Sequence, residues 1–365
     1  MHSRLKRALP IINLRGEISM LAARAAFKDA ERIRRFLLDR GLFAKDRAIG
    51  RDANCVFFPV KEKFKPPGGC QLVERALEVR SPRMDWKKSL VERGILAPDE
   101  AGLLVSSFDG MGDIAVMEIP RRLERKEKHI AAAFLKAHTQ FKVVAKKTSA
   151  VKGKYRVKGL KVIAGEKRLI TAYKESGCTF KIDLGRVYFS PRLSFERERI
   201  SRQVRKGEKV LALFAGAGFY PIIIAKRQPK CEIVAIELNP IATKYMRENI
   251  LANKAQSQIC ALEGDVGMIL KGRKYARWAT RIIMPLPHSA YEFLDAALHA
   301  AAKNALIHFY YIPHGDGEDA LLGARKRIAR ACKINWRKFR VVSSRIVKTY
   351  APHVDEVVVD FKLTN

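Results

Sequence analysis

Lys209–Leu238 reads KVLALFAGAGFYPIIIAKRQPKCEIVAIEL. An apolar run of strand length, KVLALFA, meets the glycine turn GAG. The turn opens an apolar stretch of helical character, IIIAKRQ. A second apolar run, CEIVAIEL, ends on Glu237. Strand, glycine turn, helix and strand make one parallel βαβ unit. Glycines in such a turn let the backbone bend tightly and let a ligand approach with no Cβ in the way.

Downstream the alternation continues. PIATKYMRENILANK reads as a helix and QICALEGD as a strand ending in Asp265. RIIMPLP is a fourth strand, SAYEFLDAALHAA a helix, ALIHFYYI a fifth strand and GEDALLGARKRIARAC a helix. FRVVSSRIVKTYAP and EVVVDFKL close the chain as two consecutive strands. This order predicts an α/β fold over residues 191–365: a Rossmann-like doubly wound sheet with a C-terminal antiparallel hairpin.

Two smaller α+β domains are expected upstream. Residues 17–43 carry Leu21, Ala25, Ile33, Phe36 and Leu37 at helical spacing, with Gly41 as a C-cap. The strand NCVFFPV follows, then the turn-rich KFKPPGG, which reads as a linker. That bounds a first domain at 15–66. A basic domain at 70–190 mixes the strands DIAVMEI, FKVVAK, FKIDL and RVYFS with the helix RLERKEKHIAAAFLKAH.

Charge points to the partner. The 365 residues hold 71 Lys and Arg against 37 Asp and Glu, a net +34. Residues 121–160 alone hold 13 basic and two acidic residues, interleaved with Phe134, Phe141 and Tyr155. Such a surface tracks phosphates, and its binding falls steeply with salt. A membrane surface fits less well, because no amphipathic helix with a bulky apolar face stands out and no apolar run approaches the ~20 residues of a spanning helix. The N-terminus lacks the apolar core of a signal peptide. Six scattered cysteines form no CxxC pair, so no zinc site or disulfide framework is assigned and a reducing compartment is expected.

Ligands of open α/β sheets sit at the carboxyl ends of the strands. There stand Phe214, Gly216 and Gly218 after the first strand, Glu237 after the second and Asp265 after the third. Glu237, 19 residues beyond Gly218, suits ribose hydroxyls, and Asp265 suits an adenine amino group. Either a dinucleotide or S-adenosylmethionine fits this spacing. Pro221 stands where a dinucleotide fingerprint needs its third glycine, and the closing hairpin resembles that of methyltransferases, so S-adenosylmethionine is favoured over NAD. Taken singly, each acid could equally be a turn residue or helix cap.

These residues resemble a known family, the archaeal and eukaryotic tRNA (guanine-37-N1)-methyltransferases. The resemblance lies in VKGKYRVKGL, KIDLGRVYFSPRLSFERERI, LFAGAGFYPI, IELNPIATKYMRENILANK, RIIMPLPHSAYEFLDAAL and RIVKTYAP, in that order and densely over 150–365. It implies a monomeric cytoplasmic enzyme that binds the anticodon arm and elbow of tRNA and methylates N1 of guanosine 37 from S-adenosylmethionine, without a metal. It implies that Arg156, Tyr188, Glu196 and Arg197 line the guanine pocket. Arg192, Phe214, Glu237, Leu238 and Asp265 match positions around the methyl donor, and Pro285 lies at its edge. The first ~15 residues match nothing in the family. Two departures stand out: Ala212 where many members carry Asp, and Pro285-Leu286-Pro287 where others have Asn-Leu-Pro. Wyosine-pathway enzymes share the scaffold, and a non-catalytic RNA-binding protein on it is a third reading.

The implied chemistry needs a base near N1 and a donor near O6, because N1 carries a proton at neutral pH. Glu196 suits the first role and Arg156 the second. Glu198 reads as a solvated partner of Arg202, His308 as a satisfied core histidine, and His288 as a minor positioning group near the pocket mouth.

Overall fold

In this computed structural model residues 17–78, 85–104, 107–149, 153, 155–157 and 159–365 are described. The chain forms two compact units, residues 1–85 and 86–365. The first ~15 residues lie outside the described part.

The first unit is a four-stranded sheet with one helix. β1 (Glu17–Ala26), α1 (Ala30–Asp39), β2 (Gly50–Arg51), β3 (Cys55–Pro59) and β4 (Cys70–Glu78) follow in order, and the sheet runs β2-β3-β1-β4. The helix expected across 17–43 therefore begins only at Ala30. Residues 17–26 are a central strand, paired antiparallel with β3 on one side and β4 on the other. Alanine favours helix locally, but pairing on both edges outweighs a propensity worth tenths of a kcal/mol per residue. Ala23 and Ala25 pack under Ile33 and Leu37 of α1. Gly41 takes φ +67° just past the helix, as a C-terminal glycine should. The Pro-Pro-Gly-Gly stretch joins two strands of this one sheet, so the boundary expected at 66–70 moves to 85–86.

The second unit starts with α2 (Trp86–Glu92) and α3 (Pro98–Leu103). β5 (Asp109–Met111), β6 (Ile114–Met117), α4 (Glu127–Ala137), β7 (Val143–Lys147) and β8 (Leu160–Gly165) follow, and the strands form a sheet in that order. β9 (Ile170–Glu175) and β10 (Cys178–Asp183) make a hairpin. RVYFS, expected as a strand, is loop; it leads through a short 3-10 turn, Pro191–Leu193, into α5 (Ser194–Gln203).

The remaining elements are β11 (Lys209–Leu213), α6 (Phe219–Arg227), β12 (Glu232–Glu237), α7 (Pro240–Ala252), β13 (Ile259–Glu263), α8 (Val266–Leu270), β14 (Ala279–Met284), α9 (Leu294–Ala300), β15 (Ala301–Tyr311), α10 (Gly317–Ile334), β16 (Phe339–Ala351) and β17 (Val354–Leu363). The sheet order is β13-β12-β11-β14-β15-β17-β16. Its first five strands are parallel, and β17 and β16 run antiparallel at one edge, as the sequence predicts. Alternate residues feed two cores. Val210, Ala212, Ile233 and Ala235 pack toward Ile222, Ile223 and Met246, while Leu211, Leu213, Val234 and Ile236 pack toward Leu294, Leu298 and Ile328. Strand order reverses between β11 and β14, which puts the glycine turn at the switch point where such sheets bind ligands.

Asn249 of α7 and Asn253 at its C-terminal cap fasten the hairpin to this sheet. The Asn249 amide pairs with both backbone groups of Lys181, at 2.7 and 3.0 Å, and the Asn253 amide with both of Thr179, at 3.0 and 2.7 Å. Each side chain stands in for a neighbouring strand. Asn249 also donates to the Ala217 carbonyl at 2.9 Å, tying the hairpin to the glycine turn. Among the described residues no helix is long and apolar enough to cross a membrane.

Candidate active site

The turn after β11 forms the candidate donor side. Phe214, Gly216 and Gly218 take φ of +55°, +57° and +90°. Phe214 meets Phe293 edge-on at 5.0 Å between ring centres. Glu237 locks the turn from the next strand end: Gly216 N–H donates to its Oε2 at 2.8 Å and Asn239 N–H to its Oε1 at 2.8 Å. Burial pushes the Glu237 carboxyl above its ordinary range, while these backbone donors and Leu238 pull it down. Asp265 caps α8, accepting from Met268 N–H at 3.0 Å.

These residues fit S-adenosylmethionine. A Cβ on Gly216 would find only the Tyr188 carbonyl, at 3.9 Å, so the turn faces open space. Glu237 accepts from the backbone of Gly216, Asn239 and Leu238 and keeps lone-pair capacity for a ribose hydroxyl. Ala212 is 1% exposed among Ala235 and Ile283, an apolar niche that a carboxylate would enter at high cost. The carbonyls of Leu286 and Pro287 are taken by Ser289, Ala290 and Ile312 N–H groups, leaving that of Pro285 as the open acceptor of the Pro-Leu-Pro turn among the described residues.

Glu196 lies on the first turn of α5, only 3% exposed. Its Oε2 accepts from Arg199 Nε at 3.1 Å and Nη2 at 3.0 Å and from the Tyr310 hydroxyl at 2.6 Å. Arg345 pairs with Oε1 and lies over the ring of Phe195 at 5.1 Å, a ring 67% exposed. Tyr220, in the first turn of α6, donates to Tyr310 at 3.4 Å and so connects Glu196 with the helix that follows the glycine turn. Burial pushes the Tyr220 phenol up to about 12 and the Tyr310 phenol well above its ordinary value. Both stay protonated, and Tyr310 is held as a donor to Glu196.

A second group gathers around Tyr188. The residue keeps 40% of its surface open, yet desolvation of its hydroxyl raises the phenol, with Glu356 adding to the rise and Arg156 opposing it. Arg156 follows a turn closed by its own N–H on the Gly153 carbonyl at 3.1 Å and has φ +55°. Burial, then Arg156 and Lys348, depress His288, whose ring meets Tyr350 at 4.9 Å. Lys348 pairs at 3.1 Å with Glu356, itself 2% exposed.

Arg197 and Arg192 are each held by a carboxylate of another element. Arg197 is 4% exposed, bidentate to Glu175 at 2.6 and 2.7 Å, and donates to the Ser190 carbonyl at 3.2 Å. Its donors clamp β9 to the loop before α5 rather than facing an open pocket. Arg192 pairs with Asp109 of β5 at 3.0 Å. Glu198 pairs with Arg202 at 2.9 Å and with Arg227, as a solvated partner would. His308 is fully buried with both ring nitrogens engaged, as expected of a core histidine.

Sequence reasoning missed Arg199, Tyr220, Tyr310, Arg345 and Glu356. One signal was available: His308 and Tyr310 alternate in an apolar strand, which places two polar groups on one face.

Three family models match in order: the Trm5 N-terminal domain over residues 25–67, the TYW2 N-terminal domain over 88–168 and the TRM5/TYW2 methyltransferase domain over 171–342. The chain is 35% identical to the tRNA (guanine(37)-N(1))-methyltransferase Trm5b of Pyrococcus abyssi over 94% of this chain and 99% of that one. The crystal structure of that archaeon's Trm5b covers 95% of this chain and 100% of its own, with a TM-score of 0.69 at 34% identity. A complex of aTrm5 with tRNALeu aligns with a TM-score of 0.65 at 31% identity, over 94% of this chain and 100% of that one. Methanocaldococcus jannaschii Trm5 in complex with adenosine aligns with a TM-score of 0.60 at 30% identity, over 94% and 99%. This chain belongs to the TRM5/TYW2 methyltransferase family.

Proposed function

We propose that this chain methylates N1 of guanosine 37 of tRNA with S-adenosylmethionine. The observation that carries the reading is the joining of the Glu237-locked glycine turn, through Tyr220 and Tyr310, to the buried carboxylate of Glu196. When bound, S-adenosylmethionine supplies an electrophilic methyl on a sulfonium sulfur. Gly216 and Gly218 leave room for it, Glu237 and Asp265 offer acceptors to its ribose and adenine, and Phe214, Leu238 and Pro285 border it.

Glu196 takes the N1 proton of the guanine, and Arg156 faces O6 as negative charge builds there. Tyr188 stands beside Arg156 and the Gly216 turn, where it stacks on or bonds the displaced base. Arg197 acts at one remove by holding the loop that carries Tyr188. Arg192 holds that loop to β5 instead of touching the donor. The target base must leave its stack to reach this site, at a cost of a few kcal/mol that stacking and backbone contacts repay. The 121–160 region supplies the charge for the anticodon arm, and residues 17–78 read the elbow. All six cysteines are unpaired, in keeping with a protein that works in the reducing cytoplasm, and we read it as a monomer.

A second reading follows from the match of residues 88–168 to the TYW2 N-terminal domain: modification of a tricyclic wyosine precursor at the same position. Incubation with labelled donor and an unmodified transcript carrying guanosine 37, followed by nucleoside analysis, separates the two. The proposal expects 1-methylguanosine. Label only on tRNA that carries the tricyclic base supports the second reading, and no donor binding at all supports a non-catalytic RNA binder.

A further inference from the structure

Glu196 ends a buried line of polar groups that crosses three strands. Arg199 donates from Nε and Nη2 to Glu196 Oε2, at 3.1 and 3.0 Å, and from Nη1 to Asp360 at 2.5 Å. Asp360 lies opposite His308 in the β15–β17 register and accepts from its Nδ1 at 2.7 Å and from Ser343 Oγ at 2.9 Å. On the far side of the imidazole, Nε2 sits 2.7 Å from Arg281 Nη1. Arg281 grips Glu208 at 2.5 and 2.9 Å and the Gln203 carbonyl at 2.9 Å.

The proton count along this line has one solution. Arginine has only N–H groups to give, so His308 Nε2 must accept from Arg281 and Nδ1–H must donate to Asp360. The ring is therefore neutral, which agrees with its burial. Asp360 thus receives donors from His308, Ser343 and Arg199, and this fixes the plane of the Arg199 guanidinium. Arg199 and Tyr310 together close Oε2 of Glu196. Oε1 is met by Arg345 alone among the described residues. The Arg345 side chain is 31% exposed against 14% for Arg199, and Arg199 is anchored a second time by Asp360.

We propose that Asp360 and His308 are positioning residues for Glu196, acting through Arg199 so that Oε1 is the oxygen that receives the proton. The proposal rests on the reading of Glu196 as proton acceptor. In the step, the N1–H bond of guanine breaks and its proton passes to Oε1. The electron pair left on N1 forms the bond to the methyl carbon as that carbon's bond to sulfur breaks, its electrons staying on sulfur. Asp360 and His308 touch none of the reacting atoms. They determine where the acceptor oxygen stands.

The test is a double-mutant cycle on the full chain, with Asp360→Asn, Glu196→Gln and the double variant. The readouts are single-turnover methyl transfer, dissociation constants for S-adenosylmethionine and tRNA transcript, and thermal unfolding. Asp360→Asn is expected to slow single turnover roughly 100-fold, the scale of a 1 Å misplacement, while both dissociation constants hold. In the Glu196→Gln background the same change should cost no more than about 2-fold, because the oxygen it positions no longer accepts a proton. A full loss in both backgrounds, or a parent rate for Asp360→Asn beside a slow Glu196→Gln, overturns this proposal alone. A parent rate for Glu196→Gln overturns the reading beneath it as well.

Nitrogen-15 NMR of the parent imidazoles keeps the proposal falsifiable should Asp360→Asn not fold. His308, assigned with His308→Gln, is expected neutral with its proton on Nδ1 from about pH 8 down to about pH 6, across the ordinary imidazole midpoint near 6.5. A proton on Nε2, or titration within that range, overturns it.

Discussion

Gly216→Ala and Gly218→Ala should fail in different ways, and the difference tests where the methyl donor lies. Both positions have positive φ, +57° and +90°. An alanine there costs about 1–2 kcal/mol in backbone energy, of which about 0.4–1 kcal/mol returns through a less flexible unfolded chain. At Gly216 that is nearly the whole cost, because its Cβ would meet only the Tyr188 carbonyl at 3.9 Å. At Gly218 the Cβ would come within 2.9 Å of Ile222 Cδ1 and 3.0 Å of Met246 Cγ. Both neighbours are fully buried, so overpacking adds about 1–3 kcal/mol. Gly218→Ala should therefore lose about 2–4 kcal/mol of stability and Gly216→Ala about 1 kcal/mol. The open space over Gly216 is where the donor is proposed to lie, so Gly216→Ala should weaken S-adenosylmethionine binding at least ~10-fold, or about 1.4 kcal/mol. Denaturant unfolding and calorimetric titration of the donor read the two effects separately. Parent donor affinity in a folded Gly216→Ala protein would refute the placement of the donor over this turn.

Glu196→Gln should lower single-turnover methyl transfer by about 10²–10⁴-fold with tRNA affinity retained, as loss of a general base requires; a parent rate would show that the carboxylate is structural only. Arg197→Ala strands the buried Glu175 carboxylate and should cost about 3–5 kcal/mol in urea unfolding, part of which Arg197→Ala/Glu175→Gln restores. A stable Arg197→Ala protein with lost turnover would mean that Arg197 meets the base after all. His308 is held below its ordinary value near 6.5 by burial, so below pH 6.5 the unfolded chain binds a proton that the folded one refuses. Asp360, pushed up by burial but held far below its ordinary value by His308 and Arg199, acts in the same direction at lower pH. The stability from His308 is fully present above pH 6.5 and should fall by about 1.4 kcal/mol per pH unit below it, a slope that His308→Gln removes. An unchanged slope in that variant would assign the acid sensitivity elsewhere.

The strand order and the glycine turn were legible because they are local. KVLALFA, GAGFYP and CEIVAIEL each carry their periodicity within a dozen residues, and right-handed parallel crossovers leave few ways to assemble them. The positions of Glu237 and Asp265 at strand ends followed from the same pattern. Residues 17–26 were misread because alanine's local preference opposes a pairing decided by β3 and β4, which lie some 30 to 60 residues downstream. RVYFS has strand composition but no strand beside it, and Arg197 has the look of a site residue until Glu175 takes its guanidinium.

The amino-acid order alone thus determined the class of fold, the glycine turn and Glu196 as the candidate acid. Only tertiary structure decided what that acid touches. Tyr310, 114 positions away along the chain, and Arg345 reach it from β15 and β16, and Asp360 steers Arg199 from β17. A hydrogen bond between such distant residues leaves no periodicity in sequence, because it depends on the register in which the strands finally pair.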